Sequence, residues 1–405
     1  MSEQQKIIVL NREVRIFDGH TPFQLCCLFA TVLLACYLSS FMGASIKVIG
    51  LPLKFLVFLA TVCIGIVIVK MPDVAPLTWW WRRLQFLGRK MPVYLPDVRL
   101  LEFDIPMLSS EGGYSSCFKL NGTAFAALGL AERRQTLDLL FDYVLTEPQG
   151  LQMFVTSLYP QNLDSEPEVY VLTSDQTGDK HSLPARLKTT GLNIESVDEN
   201  ELRTILFAHL SPTHFASKAP VPPKRLGTND LLSVCIAGFE QHLNYVSIDG
   251  QYVRSLYLKD VPASSYFGIM NRLSKAGCNL SYSLHLRGCD QNAVRAKAKT
   301  VYHLGLMSAG IPDPAAVSEY RRLLNGESSA FDMSLYITLY SDSLERLNID
   351  VRKIEQILIN MGAQGRTAQT QELDALLSTL PILENKLQVT HRINSNAAAT
   401  FFPFT

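Results

Sequence analysis

QYVRSLYLKDVPASSYFGIMNRLSKAGCNLSYSLHLR, residues 251–287, reads as strand, helix, strand. Gln251–Leu258 is the first strand. Ala263–Ala276 is predicted as a helix, with Phe267, Met270 and Leu273 on one face. In Leu280–Arg287, Leu280, Tyr282, Leu284 and Leu286 point one way and Ser281, Ser283, His285 and Arg287 the other, the two-residue period of a strand. Downstream, Gln291–Ser308 and Asp313–Leu324 read as inserted helices, and Met333–Tyr340 alternates again. Asp342 and Glu345 form a capping box for a helix whose stripe is Leu344, Leu347, Val351, Ile354, Leu358 and Met361. Gly362 stands where a left-handed cap residue belongs. A strand at Arg366–Thr370 and a helix at Glu372–Leu380, stopped by Pro381, complete a split βαβ pattern. Residues 230–382 are therefore expected to form a ferredoxin-like α+β domain with a helical insertion.

Upstream, residues 211–229 hold Pro212, Pro220, Pro222, Pro223, Lys224, Arg225 and Gly227, the composition of a linker. Before it, extended patterns near Tyr114–Leu120, Leu151–Leu158 and Glu168–Thr173 accompany helical ones at Glu132–Leu145 and Glu199–Leu210. They predict a first α+β domain over 100–210.

The N-terminal part differs in composition. No charged residue occurs from Thr21 to Ile46, and Val48 to Val69 is broken only by Lys54. A spanning helix needs about 20 apolar residues. The second stretch has 15 uncharged residues between Lys54 and Lys70, so Lys54 must reach the interface. Gly43, Gly50 and Pro52 supply turn material. Residues 21–70 are thus expected to form a transmembrane helical hairpin after a segment of residues 1–20. Trp79, Trp80, Trp81, Arg82 and Arg83, in an interfacial stretch over 71–99, would anchor it at headgroup level. This predicts a bacterial inner-membrane protein, bound to the cytoplasmic membrane, with both termini and the bulk of the chain on the cytoplasmic side.

Charge and motifs exclude several functions. The 37 basic and 37 acidic side chains cancel, so no global field favours nucleic acid. Arg133-Arg134, Lys224-Arg225 and Arg321-Arg322 are isolated pairs, and no direct nucleic-acid binding is expected. The eight cysteines form no disulfide framework. Cys278, His285, Cys289 and His303 could be imagined around zinc, but strand parity separates Cys278 from His285 and Cys289. No metal, catalytic or cofactor residue is assigned. No phosphate loop occurs: Gly362-Ala363-Gln364-Gly365-Arg366-Thr367 follows a helix instead of opening one.

The run Asn396-Ala397-Ala398-Ala399-Thr400-Phe401-Phe402-Pro403-Phe404 resembles the N-x-A-A…F-P-F segment of conjugation-type ATPases of type IV secretion systems, which there precedes a RecA-like motor. Tyr252–Pro262 resembles a strand of the same family, and the Met333–Tyr340 strand, the long helix after it and the close at Leu380-Pro381 match in order. The N-terminal hairpin is similar to PrgI-like or VirB-type membrane proteins fused ahead of such ATPases. The resemblance implies the N-terminal half of such an enzyme, with residues 383–405 leading toward a motor. Walker motifs, ATP and Mg²⁺ would belong to that absent motor. It further implies docking to secretion-channel subunits and homo-oligomerisation through an ATPase ring. The alternative is a stand-alone membrane scaffold without an associated ATPase.

Overall fold

The computed structural model describes residues 5–6, 47–48, 51–52, 116–120, 128–147, 150–157, 168–173, 183–210, 239–262, 264–265, 270–296, 298–299 and 314–403. The chain divides into two compact units, residues 11–88 and residues 1–10 with 89–405. In the smaller unit, Lys47–Val48 pairs antiparallel with Leu51–Pro52. In the larger, the two-residue strand Gln5–Lys6 pairs with Ser264–Ser265.

The rest of the larger unit is built on one sheet of 11 strands, all paired antiparallel. Its first half comprises β1 (Ser116–Leu120), α1 (Leu130–Thr146), β2 (Leu151–Ser157), β3 (Glu168–Thr173), α2 (Leu183–Lys188), β4 (Ile194–Ser196) and α3 (Glu199–Leu210). A hairpin of β5 (Phe239–Gln241) and β6 (Val246–Ile248) opens the second half. It continues through β7 (Gln251–Asp260), α4 (Asn271–Ser274), β8 (Leu280–Gly288), α5 (Pro314–Asn325), β9 (Ala330–Ser341), α6 (Leu344–Asn360), β10 (Gln364–Thr367), α7 (Glu372–Thr379), β11 (His391–Asn394) and α8 (Ser395–Thr400).

The strand order is β4-β1-β3-β2-β8-β9-β7-β6-β5, with β10 also beside β7 and β11 also beside β9. Two strand–helix–strand–strand–helix–strand units therefore lie side by side. Each brings its first and third strands to its centre, and they share one ladder, in which Leu151 of β2 faces Leu286 of β8 and Ser157 faces Leu280. An approximate two-fold relation between the halves runs through this β2–β8 seam.

One sheet face carries the larger core. Met153, Val155, Tyr282, Leu284, Met333, Leu335, Ile337 and Leu256 pack there with Leu140 and Val144 of α1 and with Leu347, Val351, Ile354 and Leu358 of α6. The α6 stripe is buried because apolar residues three and four apart share one side of a helix. Two glycines permit close approach. A Cβ on Gly288 would lie 2.6 Å from the Val144 carbonyl of α1. Gly150 turns left-handed (φ 77°), and a Cβ there would run into the Leu286 carbonyl. Gly150→Ala is accordingly expected to cost about 3 kcal/mol, since it combines a left-handed backbone with a backbone clash; urea unfolding measures it, and a loss under about 1 kcal/mol would mean the β2–β8 seam can shift.

Several expectations are corrected. The sequence reading places a membrane hairpin over 21–70 and two separate α+β domains behind it. Among the described residues no helix is long and apolar enough to cross a membrane. The described residues within 21–70 are a short β pairing beside Gly50, and the strands of residues 100–210 and 230–382 form one sheet with few helices. The second apolar stretch was already short of a span because Lys54 interrupts it. The transmembrane helix and the inner-membrane localisation built on it are withdrawn. The other residues of 21–70, like Trp79, Trp80, Trp81, Arg82 and Arg83, lie outside the described residues.

Smaller differences have local causes. The helix expected over Ala263–Ala276 is, among the described residues, the four-residue α4, while Ser264–Ser265 pairs as a strand. Helix α6 is capped by Ser343, whose hydroxyl accepts from the Arg346 amide, so the cap is one residue past Asp342. Gly362 is left-handed (φ 75°) and its neighbour's amide closes on the Leu358 carbonyl, the geometry of a glycine helix stop.

Candidate functional site

The second face of the sheet is polar where the first is apolar. Ser255 of β7, Ser281, Ser283 and His285 of β8, Ser334 and Thr338 of β9 and Gln152 of β2 are all buried. Strand parity gives them one face; what buries them is residues 370–388, which contain α7 and an irregular return toward β11. Groups withdrawn from water need partners, and all of these except Ser281, whose hydroxyl has none, hydrogen-bond to the covering segment. Gln152 Nε2 donates to Ser283 Oγ (2.8 Å) and to the Leu380 carbonyl (2.7 Å), and its Oε1 accepts from the Leu383 amide (2.6 Å). Ser283 Oγ donates to the Thr379 carbonyl at 2.6 Å. A hydroxyl chain runs from Ser255 to Thr338 (2.8 Å), from Thr338 to Thr379 (2.9 Å) and from Thr379 to the Ala375 carbonyl (3.0 Å). Asn385 donates to Ser334 Oγ (2.9 Å) and accepts from the Tyr336 hydroxyl (2.6 Å).

Three ionisable groups occupy this face. The Ser255 amide donates to Glu372 Oε2 at 2.9 Å, beside Arg254. Burial drives the Glu372 carboxyl well above the usual carboxylate range, against the Ser255 hydrogen bond and the Arg254 charge. His285 Nε2–H donates to the Ser378 carbonyl at 2.7 Å; burial pulls its pKa down to about 4. His209 of α3 donates from Nδ1 to the Ile205 carbonyl (2.7 Å) and accepts at Nε2 from Thr156 (3.2 Å). Its pKa also falls to about 4 through burial. Arg254 itself reaches outward, from Nε to the Asn244 carbonyl (2.7 Å) and from Nη1 to Asn348 Oδ1 (2.8 Å). It ties the β5–β6 hairpin to α6.

The second cluster is the tail that carries the family resemblance. β11 pairs with β9, and Arg392 forms a two-point ion pair with Asp332 at 2.8 and 2.9 Å. His391 Nε2–H donates to the Leu258 carbonyl at 2.8 Å. Asn394 has no exposed surface: its Oδ1 caps α8 on the Ala397 amide (3.3 Å), and its Nδ2 donates to Glu319 Oε2 at 2.9 Å. Asn396 and Arg322 reach the other Glu319 oxygen at 3.2 and 2.6 Å. Ala397, Ala398, Phe401 and Phe402 sit in the core, where Phe141 of α1 stacks on Phe331 and tilts against Phe402. The three alanines are small because α8 lies inside the core. Asn394→Ala is expected to cost about 2 kcal/mol, from a lost cap and an unpaired Glu319 oxygen; thermal melts measure it, and an unchanged melting temperature would mean α8 is not held by this residue.

Compared with known proteins, the chain matches no protein-family model and no curated protein.

The imagined zinc ligands are not brought together. Cys278 Sγ lies 3.4 Å from Asp350 Oδ1, Cys289 Sγ donates to the Ala330 carbonyl, and His285 is committed to Ser378; His303 lies outside the described residues. Among the described residues no group of three metal-ligating side chains converges. Burial pushes Cys278 and Cys289 up to about 11 and Cys117 up to about 12, so all three are thiols at neutral pH and none is an activated nucleophile. The sequence reading assigned no role to Gln152, Glu372, Glu319 or Asn394. A signal for the first two existed: strands already apolar on one face carried Ser, Thr and Gln on the other, in a sheet too large to leave its centre open to water.

Proposed function

We propose that this chain is the docking and assembly part, without its own catalysis, of an ATPase of the type IV secretion and conjugation kind. In this reading it binds channel subunits and neighbouring protomers, and ATP hydrolysis belongs to a motor domain. The observation that carries the reading is the tail. In the Asn396–Phe404 run, which resembles the family segment ahead of the motor, Asn396 holds Glu319 and Phe402 lies against Phe141 in the sheet's own core, directly after Arg392 and Asn394 tie down to Asp332 and Glu319. A domain joined after it would be held rigidly to the 11-stranded sheet instead of swinging on a linker. The internal chemistry supports a binding role in the same way: the buried polar groups hold the chain's own segments together, and the three described cysteines, Cys117, Cys278 and Cys289, are thiols with raised pKa values.

Ile349 and Ile359 on α6 are large apolar side chains left 65% and 57% exposed, and they offer positions for a probe. A photocrosslinking residue at either position, in the native host, is expected to yield adducts with secretion-channel proteins or with a second copy of the chain. If the chain is recovered in no complex with such proteins from any probe position on α6, the proposal fails.

A further inference from the structure

Among the described residues, four non-glycine residues adopt a left-handed backbone, and three of them, Thr370, Leu383 and Gln388, lie in the segment that covers the polar sheet face. Two of the three are its ends. The first end also carries three consecutive buried atoms without a hydrogen-bond partner: Thr370 Oγ1, Gln371 Nε2 and Glu372 Oε1. Left-handed backbone at residues with a Cβ is strained, and an unpaired buried polar atom costs its desolvation. Hydrogen bonds to Ser255, Thr338, Ser283, Gln152, His285 and Ser334 hold the segment down, and water can replace these when it leaves; it also buries Leu376, Leu377, Leu380 and Ile382 in a cluster with Phe154 and Tyr340, and Ala375 and Leu387 in one with Tyr257 and Tyr336. By contrast, β9 beneath it lies between fully paired neighbours in the middle of the sheet.

We propose that residues 370–388 are a strap that lifts off the sheet as a unit, with the Glu372–Ser255 and His285–Ser378 contacts as its two latches. Strain concentrated at the strap's two ends, with stable ladders on either side, makes it a local opening unit separate from global unfolding. Lifting it uncovers a face that bears Ser255, Thr338 and Ser283 together with Tyr257, Tyr336 and Tyr340.

The two latches respond to pH in opposite directions. Glu372 keeps its proton in the closed strap and loses it more easily in the open one. The closed state is therefore favoured at low pH, and that advantage is lost as pH rises from 4.5 toward the raised value. His285 stays neutral when closed and protonates when open. Its advantage is present above 6.5 and is lost as pH falls from 6.5 to about 4. The groups facing these latches are Arg254 and Tyr257 on β7, Tyr336 and Tyr340 on β9, and Asp374 on α7. Arg254 stays charged throughout, and burial raises Tyr336 to about 12, so neither titrates in this window. Where the two windows overlap, the latches act in opposite senses and offset each other.

Hydrogen exchange read by mass spectrometry on the full chain from about pH 4 to 9, corrected for intrinsic rates, tests this directly. Peptides within 370–388 are expected to open together, ahead of peptides from β9. Their opening should rise by up to about tenfold per pH unit above 6.5 until Glu372 ionises in the closed strap, and rise again at the acid end. Glu372→Gln keeps an acceptor for the Ser255 amide and should abolish the alkaline rise, so that the acid rise begins already below 6.5. His285→Gln should abolish the acid rise, so that the alkaline rise begins already above 4.5. Gln388 is exposed, so Gln388→Gly leaves the core untouched; by relieving one strained end it should slow opening of the whole strap roughly fivefold. The proposal is overturned if strap and β9 peptides exchange only together, if Glu372→Gln leaves the alkaline rise, or if Gln388→Gly leaves strap opening unchanged.

Discussion

Gln152→Leu lowers the unfolding free energy by about 4 kcal/mol. The leucine fills much the same volume, but it strands the Leu383 amide, which Gln152 now satisfies at 2.6 Å, leaves the Leu380 carbonyl with the Ile382 amide in place of two donors, and removes the donor to Ser283. Each buried backbone group left unpaired costs about 1–3 kcal/mol, and the added apolar burial recovers part of the sum. Urea unfolding with an unchanged m-value is the measurement. A loss below about 1 kcal/mol would mean that water reaches the β2–β8 seam and the polar face is not sealed. Gln152, in the first half of the chain, grips the covering segment directly through two hydrogen bonds, so this variant also reports how strongly the halves are coupled.

The second large effect is acid lability. His209 hydrogen-bonds to Ile205 and Thr156 outside the covering segment, and burial lowers its pKa to about 4 from an ordinary 6.5. A base whose folded value lies below its unfolded one contributes stability that is complete above 6.5 and is lost as pH falls toward 4. That shift corresponds to on the order of 3 kcal/mol. His285 contributes a similar loss in the same window, while Glu372 works in the opposite sense. The difference in stability between the parent and His209→Gln should therefore narrow by about 3 kcal/mol between pH 7 and 4. If it stays constant, His209 is solvated in the native state and its edge contacts with Phe154 and Tyr340 do not seal it.

The second half of the fold was largely written in local pattern. Leu280–Arg287 alternates, and the α6 stripe recurs at helical spacing, so both elements could be read from neighbours a few residues apart. The joining of the halves could not. The partner of Leu284 is Met153, 131 residues earlier, and alternation alone does not name a partner strand. The apolar residues of 21–70 misled because a window of hydropathy says how greasy a segment is, not what covers it. The alanine and phenylalanine run near Asn396 was legible as a resemblance, but its physical reason was not. Asn394 has to satisfy both a helix end and a glutamate from α5, and that requirement appears only when β11 is laid beside β9.

The ladder between β2 and β8 also has a temporal side. Leu151–Ser157 is made early, and its partner Leu280–Gly288 only after some 120 further residues. At roughly 5–20 residues per second, the growing chain holds a strand whose β8-side edge has no partner for about ten seconds. During that interval its exposed amides and carbonyls are a template for any other extended segment, including the same strand of a second nascent copy. Ribosomes close together on one message would bring such copies within reach. Yield in a dense expression host should therefore depend on translation speed between Ser157 and Leu280 more than on the stability of the finished fold.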